Sequence, residues 1–331
     1  MKNNFWKGKR VLITGHEGFL GSNMTKTLAG YGAIVTGIDP KTHRKNTLFS
    51  KNDYRSFKTI RGSVANYKLV FKLLKKNRIE YVFHIGAEAI VGECNKNPMK
   101  CFNANIEGTW KLLEACRQYG KIKAIVIASS DKAYGSHKVL PYKETASLHG
   151  DHPYDVSKSC TDLIAYTYFH TYNLPVAVTR CGNIYGPGDF NFSRIVPDAI
   201  RCAITGKTLK IRSDGRFTRD YVYVDDIVNG YVMLAEQLEK KRLAGEAFNF
   251  SDENPITVLD FVNEIYKAME KKPGYKVFNI AKYEIRHQYL ASGKARRLLG
   301  WKPQYSLKSG IEAALNWYMS YFDKEGGAVS L

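Results

Sequence analysis

From residue 9 the chain alternates short, unbroken apolar runs with stretches of helical periodicity. Lys9 to Gly15, Ile34 to Asp39, Tyr81 to Ile85, Ile122 to Ser129 and Pro175 to Arg180 read as strands. Gly21 to Tyr31, Tyr67 to Lys76, Pro98 to Gln118 and Tyr154 to Tyr172 read as helices. Strands this short without polar alternation must be buried on both faces, as they are in a parallel sheet sandwiched by helices. The expected fold class is therefore α/β, a doubly wound parallel sheet. After Asn183 the rhythm changes to short strands and loops with helices at Val196 to Thr205, Asp225 to Lys240, Val258 to Lys271 and Ser309 to Phe322. That part reads as a smaller, mixed α/β lobe. The expected division is 1–182 for the sheet domain with the catalytic residues, 183–323 for the second lobe with segments returning to the first, and 324–331, carrying Gly326 and Gly327, for a frayed tail.

Composition narrows the class. Of 331 residues, 44% are hydrophobic and 13% aromatic, which excludes a disordered chain and allows a sizeable core. No run reaches the roughly 18 to 20 apolar residues of a membrane span, so no membrane partner is expected. Met1 to Arg10 is polar and basic, with no apolar signal core behind it. The six cysteines (Cys94, Cys101, Cys116, Cys160, Cys181, Cys202) contain no CxxC pair. They read as free thiols in a reducing cytoplasm, with neither a disulfide framework nor a metal site. The formal charge of +19 comes from lysines scattered along the whole chain, which fits a solvated surface or a phosphate-rich small ligand. Nucleic acid is not an expected partner, because zinc-finger spacing, an aromatic RNA-binding strand and long basic blocks are all missing.

The first candidate site is the turn after the first strand. Gly15, Gly18 and Gly21 fall at i, i+3 and i+6 around His16, Glu17, Phe19 and Leu20, between a strand and a helix. There a pyrophosphate can approach backbone N–H groups at a helix start, and the last glycine lets the helix pack on the sheet. Asp39 ends the next strand about 20 residues on, where a carboxylate accepts hydrogen bonds from an adenosine ribose. A bare Asp favours NAD over NADP, while the basic run Lys41, His43, Arg44 and Lys45 just after it offers partners for a 2′-phosphate.

The second site is catalytic. Tyr154 and Lys158 are spaced i, i+4 and project from one helix face, where an ammonium favours the phenolate and lowers the phenol toward the working pH. Ser130 closes the strand before them, at the carboxyl edge where open parallel sheets carry their sites.

With these residues in place the chain resembles the extended short-chain dehydrogenase/reductases of the nucleotide-sugar epimerase and dehydratase group, over nearly its whole length. The blocks GHEGFLGS, FHIGAEAIV, NIEGTWKLLEAC, SSDKAYG, YDVSK, TRCGNIYGPGD, RDYVYVDD and LGWKP stand in the family's order and spacing. The resemblance implies a Rossmann domain, a tightly held NAD, a lobe that grips a nucleotide-diphosphate sugar, and a homodimer built through two long helices. Ser130-Asp131-Lys132 is similar to the CDP-glucose 4,6-dehydratases, whereas simple 4-epimerases carry small or hydroxyl residues at the last two positions. A local salt bridge between Asp131 and Lys132 is the plainer account of the pair.

What the resemblance implies for chemistry is a 4,6-dehydratase acting on an NDP-hexose, CDP-glucose foremost, and giving an NDP-4-keto-6-deoxy-hexose. Tyr154 takes the C4 hydroxyl proton while hydride passes to NAD, Ser130 hydrogen-bonds the same oxygen, and Lys158 holds the phenolate and the nicotinamide ribose. Lys132, with its pKa lowered by the site, removes the C5 proton, and Asp131, kept protonated, gives its proton to the departing C6 hydroxyl. Hydride then returns to C6. By match, Asn183 and Arg219 hold the diphosphate, with Arg194 and Arg212 as further candidates. The alternatives are a 4-epimerase and, more remotely, a nucleotide-binding protein without turnover. Departures from the family pattern are Ser63-Val64 where an Asp before Ile or Val contacts adenine, Gly86 for the commoner Ala, and no Asp in Tyr289 to Ala295.

Overall fold

A computed structural model describes residues 4–280 and 285–325. Its elements run β1 (Arg10–Thr14), α1 (Phe19–Gly30), β2 (Ile34–Asp39), β3 (Lys58–Arg61), α2 (Tyr67–Lys76), β4 (Tyr81–His84), α3 (Val91–Lys96), α4 (Pro98–Phe102), α5 (Gly108–Tyr119), β5 (Ala124–Ala128), α6 (Pro153–Tyr172) and β6 (Val176–Cys181). There follow β7 (Asn183–Tyr185), α7 (Ile195–Thr205), β8 (Leu209–Ile211), β9 (Thr218–Arg219), β10 (Tyr221–Tyr223), α8 (Val224–Gln237), β11 (Ala247–Phe250), β12 (Ile256–Thr257), α9 (Val258–Ala268), β13 (Tyr275–Val277), β14 (His287–Gln288), α10 (Gly293–Leu299) and α11 (Leu307–Glu325). Seven strands form one parallel sheet in the order β11-β6-β5-β4-β1-β2-β3.

The apolar runs have the cause anticipated for them. On β1, Val11 and Ile13 join the core on one face of the sheet, with α1 and α8, while Leu12 joins the core on the other, with α2 and α5. On β5, Val126 and Ile127 divide the same way. A strand buried on both faces favours apolar residues throughout and takes a polar one only where it finds a partner. The smaller lobe has its own core, built from α7, α9 and α11 around Phe261, Ile265 and Tyr318.

Three features depart from the sequence pattern. The edge strand β3 exposes Lys58 and Arg61, so it leaves no apolar run to detect. The single helix expected over Pro98 to Gln118 is split by a widened turn at Asn103–Glu107, which buries Asn105. Cys94 and Cys101 are paired as a disulfide, correcting the expectation of six free thiols; Cys116, Cys160, Cys181 and Cys202 are free. The pairing follows from a turn at Asn97, whose side chain caps α4 and folds it back onto α3. Past residue 183, β11 returns to the large sheet beside β6. Helix α11 runs to Glu325, and the rest of the tail, 326–331, lies outside the described residues. Among the described residues no helix is long and apolar enough to cross a membrane.

Candidate active site

Because the strands are parallel, β1, β4 and β5 deliver three loops to one edge of the sheet. The first is the glycine turn. Gly15 has φ +70, and a Cβ there would stand 2.6 Å from Gly86 Cα. Gly86 therefore makes room for the turn itself, since a Cβ on it would press on Gly15 N and Thr14 Oγ1 at 3.1 Å. A Cβ at Gly21 would overlap Gly15 O, so α1 sits directly on the turn. Gly18 occupies the N-cap, no side chain caps the helix, and its first turn, with Phe19 and Leu20, holds no acidic residue. The N–H groups at that helix start, with the positive end of its dipole, suit a diphosphate.

Asp39 is buried at the end of β2. Its Oδ1 accepts from Lys41 N at 2.9 Å and from Arg44 Nη2 at 2.9 Å, so of the basic run it is Arg44 that reaches the carboxylate with its side chain. Ser63 is exposed and spends its hydroxyl locally, accepting from Ala65 N at 3.2 Å in the turn before α2. Val64 packs against Gly108, where an added Cβ would meet Val64 Cγ1 at 2.7 Å.

The catalytic candidates converge where β5 meets the start of α6. Ser130 Oγ donates to Asp131 Oδ1 at 2.9 Å and accepts from Lys132 N at 3.2 Å. Tyr154 and Lys158 are both buried, with Lys158 Nζ 5.8 Å from the centre of the Tyr154 ring. The expected lowering of the phenol is corrected here: burial pushes Tyr154 up to about 12, against the opposing pull of the Ser130 hydrogen bond and the Arg194 charge. Burial also brings Lys158 down to about 8, with Asp162 pulling it back up. Spacing alone carried no desolvation, and desolvation outweighs the neighbouring charge. Asp131 is buried, and its Oδ1 lies 3.7 Å from Lys132 Nζ. Asp155, beside Tyr154, is raised to about 6 by burial despite the pull of Lys132 and His152. A cavity of about 480 Å³ opens next to it, lined by His137, His152, Arg286 and His287 among others.

Beneath these groups lies a buried polar frame that sequence reasoning did not assign. His84, held neutral by burial at about 3, bridges Thr14 Oγ1 at 2.8 Å and Thr109 Oγ1 at 3.1 Å. Asn105 Nδ2 donates to Ser157 Oγ at 2.9 Å, and Ser157 Oγ donates to Tyr154 O at 2.7 Å. Ser129 Oγ donates to Asp162, which also takes Arg180 Nη2 at 2.7 Å. His84 and Asn105 lie inside two of the quoted blocks, and that placement was the available signal. Gln288, wholly buried on β14, reaches Lys132 from the other lobe; it lies outside every quoted block.

The proposed diphosphate residues lie on or beside different elements. Asn183 opens β7, with its N–H on Asp220 O at 2.8 Å. Arg219 is buried on β9, with Nη1 on Thr218 O at 2.9 Å and Arg286 O at 3.0 Å. Arg194 stands at the N-cap position of α7 without a side-chain cap bond, pairs with Asp189 at 3.2 Å, and acts on Tyr154 through its charge. Arg212 is exposed just past β8. Among the described residues no group of three His, Cys, Asp or Glu side chains is placed to hold a metal ion.

Comparison with known proteins supplies a context for this geometry. Residues 12–314 match the family model described as GDP-mannose 4,6 dehydratase. A CDP-glucose 4,6-dehydratase of Salmonella typhimurium is 30% identical, over 97% of this chain and 94% of its own length. The crystal structure of a dTDP-glucose 4,6-dehydratase of Bacillus anthracis in complex with NAD superposes with a TM-score of 0.85 at 27% identity, covering 96% of this chain and 98% of that one. That of a UDP-glucose 4-epimerase of Thermotoga maritima with UDP-glucose gives 0.85 at 28% identity, covering 95% and 99%.

Proposed function

This chain belongs to the GDP-mannose 4,6-dehydratase family of nucleotide-sugar dehydratases and epimerases, and on that premise we propose that it is an NAD-dependent NDP-hexose 4,6-dehydratase. CDP-glucose is the substrate we favour, and the product is an NDP-4-keto-6-deoxy-hexose. The observation that carries the reading is the Asp131-Lys132 pair directly after Ser130, with both side chains gathered at the reacting edge of the sheet and neither lost to a surface loop. At 3.7 Å the two are an ion pair without a hydrogen bond, so a local salt bridge does not exhaust them.

The uncapped start of α1 and the glycine turn fit the diphosphate of NAD, and buried Asp39 fits its adenosine ribose. When bound there, NAD would supply the hydride acceptor for C4 oxidation and the hydride source for reduction at C6. Tyr154 takes the proton of the C4 hydroxyl, Ser130 hydrogen-bonds that oxygen, and Lys158 stabilises the phenolate. For the elimination the pair acts with its proton on the carboxyl: Lys132 as the neutral amine takes the proton from C5, acidified by the neighbouring ketone, and Asp131 as the acid hands its own to the departing C6 hydroxyl, so water leaves. Ser63 and Val64, both engaged locally, would contribute to the adenine end by shape. Asn183, Arg219 and Arg194 are the diphosphate ligands we favour, with exposed Arg212 the fourth.

The same reading makes the enzyme a cytoplasmic homodimer joined through α5 and α6, whose outer faces carry the exposed Trp110, Leu163 and Tyr166. A 4-epimerase remains the second reading, favoured by the likeness to the Thermotoga maritima enzyme. Incubation with CDP-, dTDP-, GDP- and UDP-hexoses, followed by mass spectrometry, separates the two. Loss of one water without net NADH is expected; an unchanged mass with an altered sugar configuration would establish the epimerase instead.

A further inference from the structure

Gln288 joins the smaller lobe to the reacting end of the large sheet. It spends both ends of its buried amide on the Asp131-Lys132 turn: Oε1 accepts from Lys132 Nζ at 3.0 Å, and Nε2 donates to the carbonyl oxygen of Asp131 at 2.9 Å. The partners dictate this orientation, since a backbone carbonyl only accepts and an ammonium only donates. The contact is seated on a sheet. Gln288 stands opposite Arg219 in the β14–β9 pairing, and the neighbouring His287 Nδ1 meets Thr218 Oγ1 at 3.1 Å.

The consequence falls on Lys132. Its hydrogen-bond partner across the lobes is a neutral amide. The carboxylate of Asp131 lies 3.7 Å away and is engaged by Ser130 at 2.9 Å, and Asp155 on α6 interacts with Lys132 only through space. A directly bonded carboxylate would hold the ammonium by a charged hydrogen bond; a neutral amide fixes the side chain's place without adding that charge. A general base must be held within reach of the proton it takes.

We propose that Gln288 is a positioning residue for C5 deprotonation, holding Lys132 over the sugar through a neutral partner. The inference rests on the 4,6-dehydratase reading. Its test uses the full-length enzyme with its cofactor, as wild type, Gln288→Leu and Gln288→Glu. The measurements are kcat and KM, the pH profile, solvent deuterium incorporation at C5, and NADH absorbance in the first turnover. Gln288→Leu is expected to lose ~10²-fold in kcat with little change in KM, to slow C5 exchange in step, and to keep C4 oxidation. Gln288→Glu is expected to move the acid limb of kcat to higher pH, with activity regained there. Wild-type kcat in the leucine variant, an unmoved limb in the glutamate variant, or loss of C4 oxidation along with C5 exchange would each overturn the proposal while leaving the dehydratase reading standing. A wild-type enzyme that dehydrates no NDP-hexose overturns both.

Discussion

The ammonium of Lys158 stands 5.8 Å from the centre of the Tyr154 ring and donates to the carbonyl oxygen of Ala128 at 2.8 Å, with both side chains buried. Burial places the phenol at about 12 and the ammonium at about 8. The active pairing, phenolate with ammonium, is then the minority form at every pH. Below pH 8 its population grows about tenfold per pH unit; between 8 and 12 the gain in phenolate is cancelled by the loss of ammonium. The expected profile of kcat/KM is therefore a rise to about pH 8 followed by a plateau. In Lys158→Arg, which keeps its charge, the rise should continue past pH 8. A wild-type plateau that begins near pH 6 would show that the phenol, and not the ammonium, sets the break.

The same burial predicts a conflict between stability and function at Lys158. Its folded-state value lies below its ordinary 10.5 at about 8, so the folded protein holds this proton less tightly than the unfolded chain does. The charge thus destabilises the fold throughout the range below about pH 8, and the cost fades as the pH rises toward 10.5. Lys158→Met should gain about 2 kcal/mol at pH 7, after allowing ~1 kcal/mol for the lost bond to Ala128, while losing C4 oxidation. Urea unfolding at pH 7 and pH 10 checks this. A variant less stable than wild type at pH 7 would reject the sign.

Asp131 is where the two halves of the proposed reaction can be cut apart. Its carboxyl meets Ser130 and Lys132 and reaches the Tyr154 phenol through its charge. Asp131→Ala should retain NADH formation in a first turnover and lose steady-state release of dehydrated product by ~10²-fold or more, as expected for loss of a positioned acid. Dehydration at the wild-type rate in this variant would remove Asp131 from the acid role.

These residues also show what a linear chain discloses. The doubly wound sheet was legible because Val11, Leu12 and Ile13 must all be apolar when a strand is covered on both faces. The glycine turn and the Ser130, Tyr154 and Lys158 set were legible because each is a local pattern joined to a strand end. Gln288 was not. It occupies a two-residue strand 156 positions from Lys132, and only the folding of the second lobe brings the two together. The Cys94 and Cys101 pairing was hidden for a related reason: a spacing of 7 residues joins them only because α4 folds back at Asn97. The direction at Tyr154 was missed because spacing reports which charges are near, while desolvation depends on everything packed around the ring.

The ion pair between Arg44 and Asp39 makes cofactor choice testable. Arg44 Nη2 lies 2.9 Å from Asp39 Oδ1, with the arginine side chain 37% exposed and the aspartate 3%. In the proposed reading the buried carboxylate accepts from a ribose hydroxyl and repels a 2′-phosphate, and while it stands it occupies Arg44, the one arginine of the run. Asp39→Ser removes the repulsion and releases Arg44, with exposed Lys41 and Lys45 nearby to add positive charge. The ratio of NAD to NADP affinity, measured by calorimetry on enzyme stripped of its cofactor, should fall by ~10²-fold, the worth of one or two hydrogen bonds to a charged group. Because Arg44 is partly exposed, the NADP gain should shrink between 50 mM and 500 mM salt, whereas NAD binding to the wild type, which involves no 2′-phosphate, should change less over that range. An affinity ratio unmoved by Asp39→Ser would mean that the ribose is read elsewhere, and that the Arg44 pair serves only to close the loop after β2.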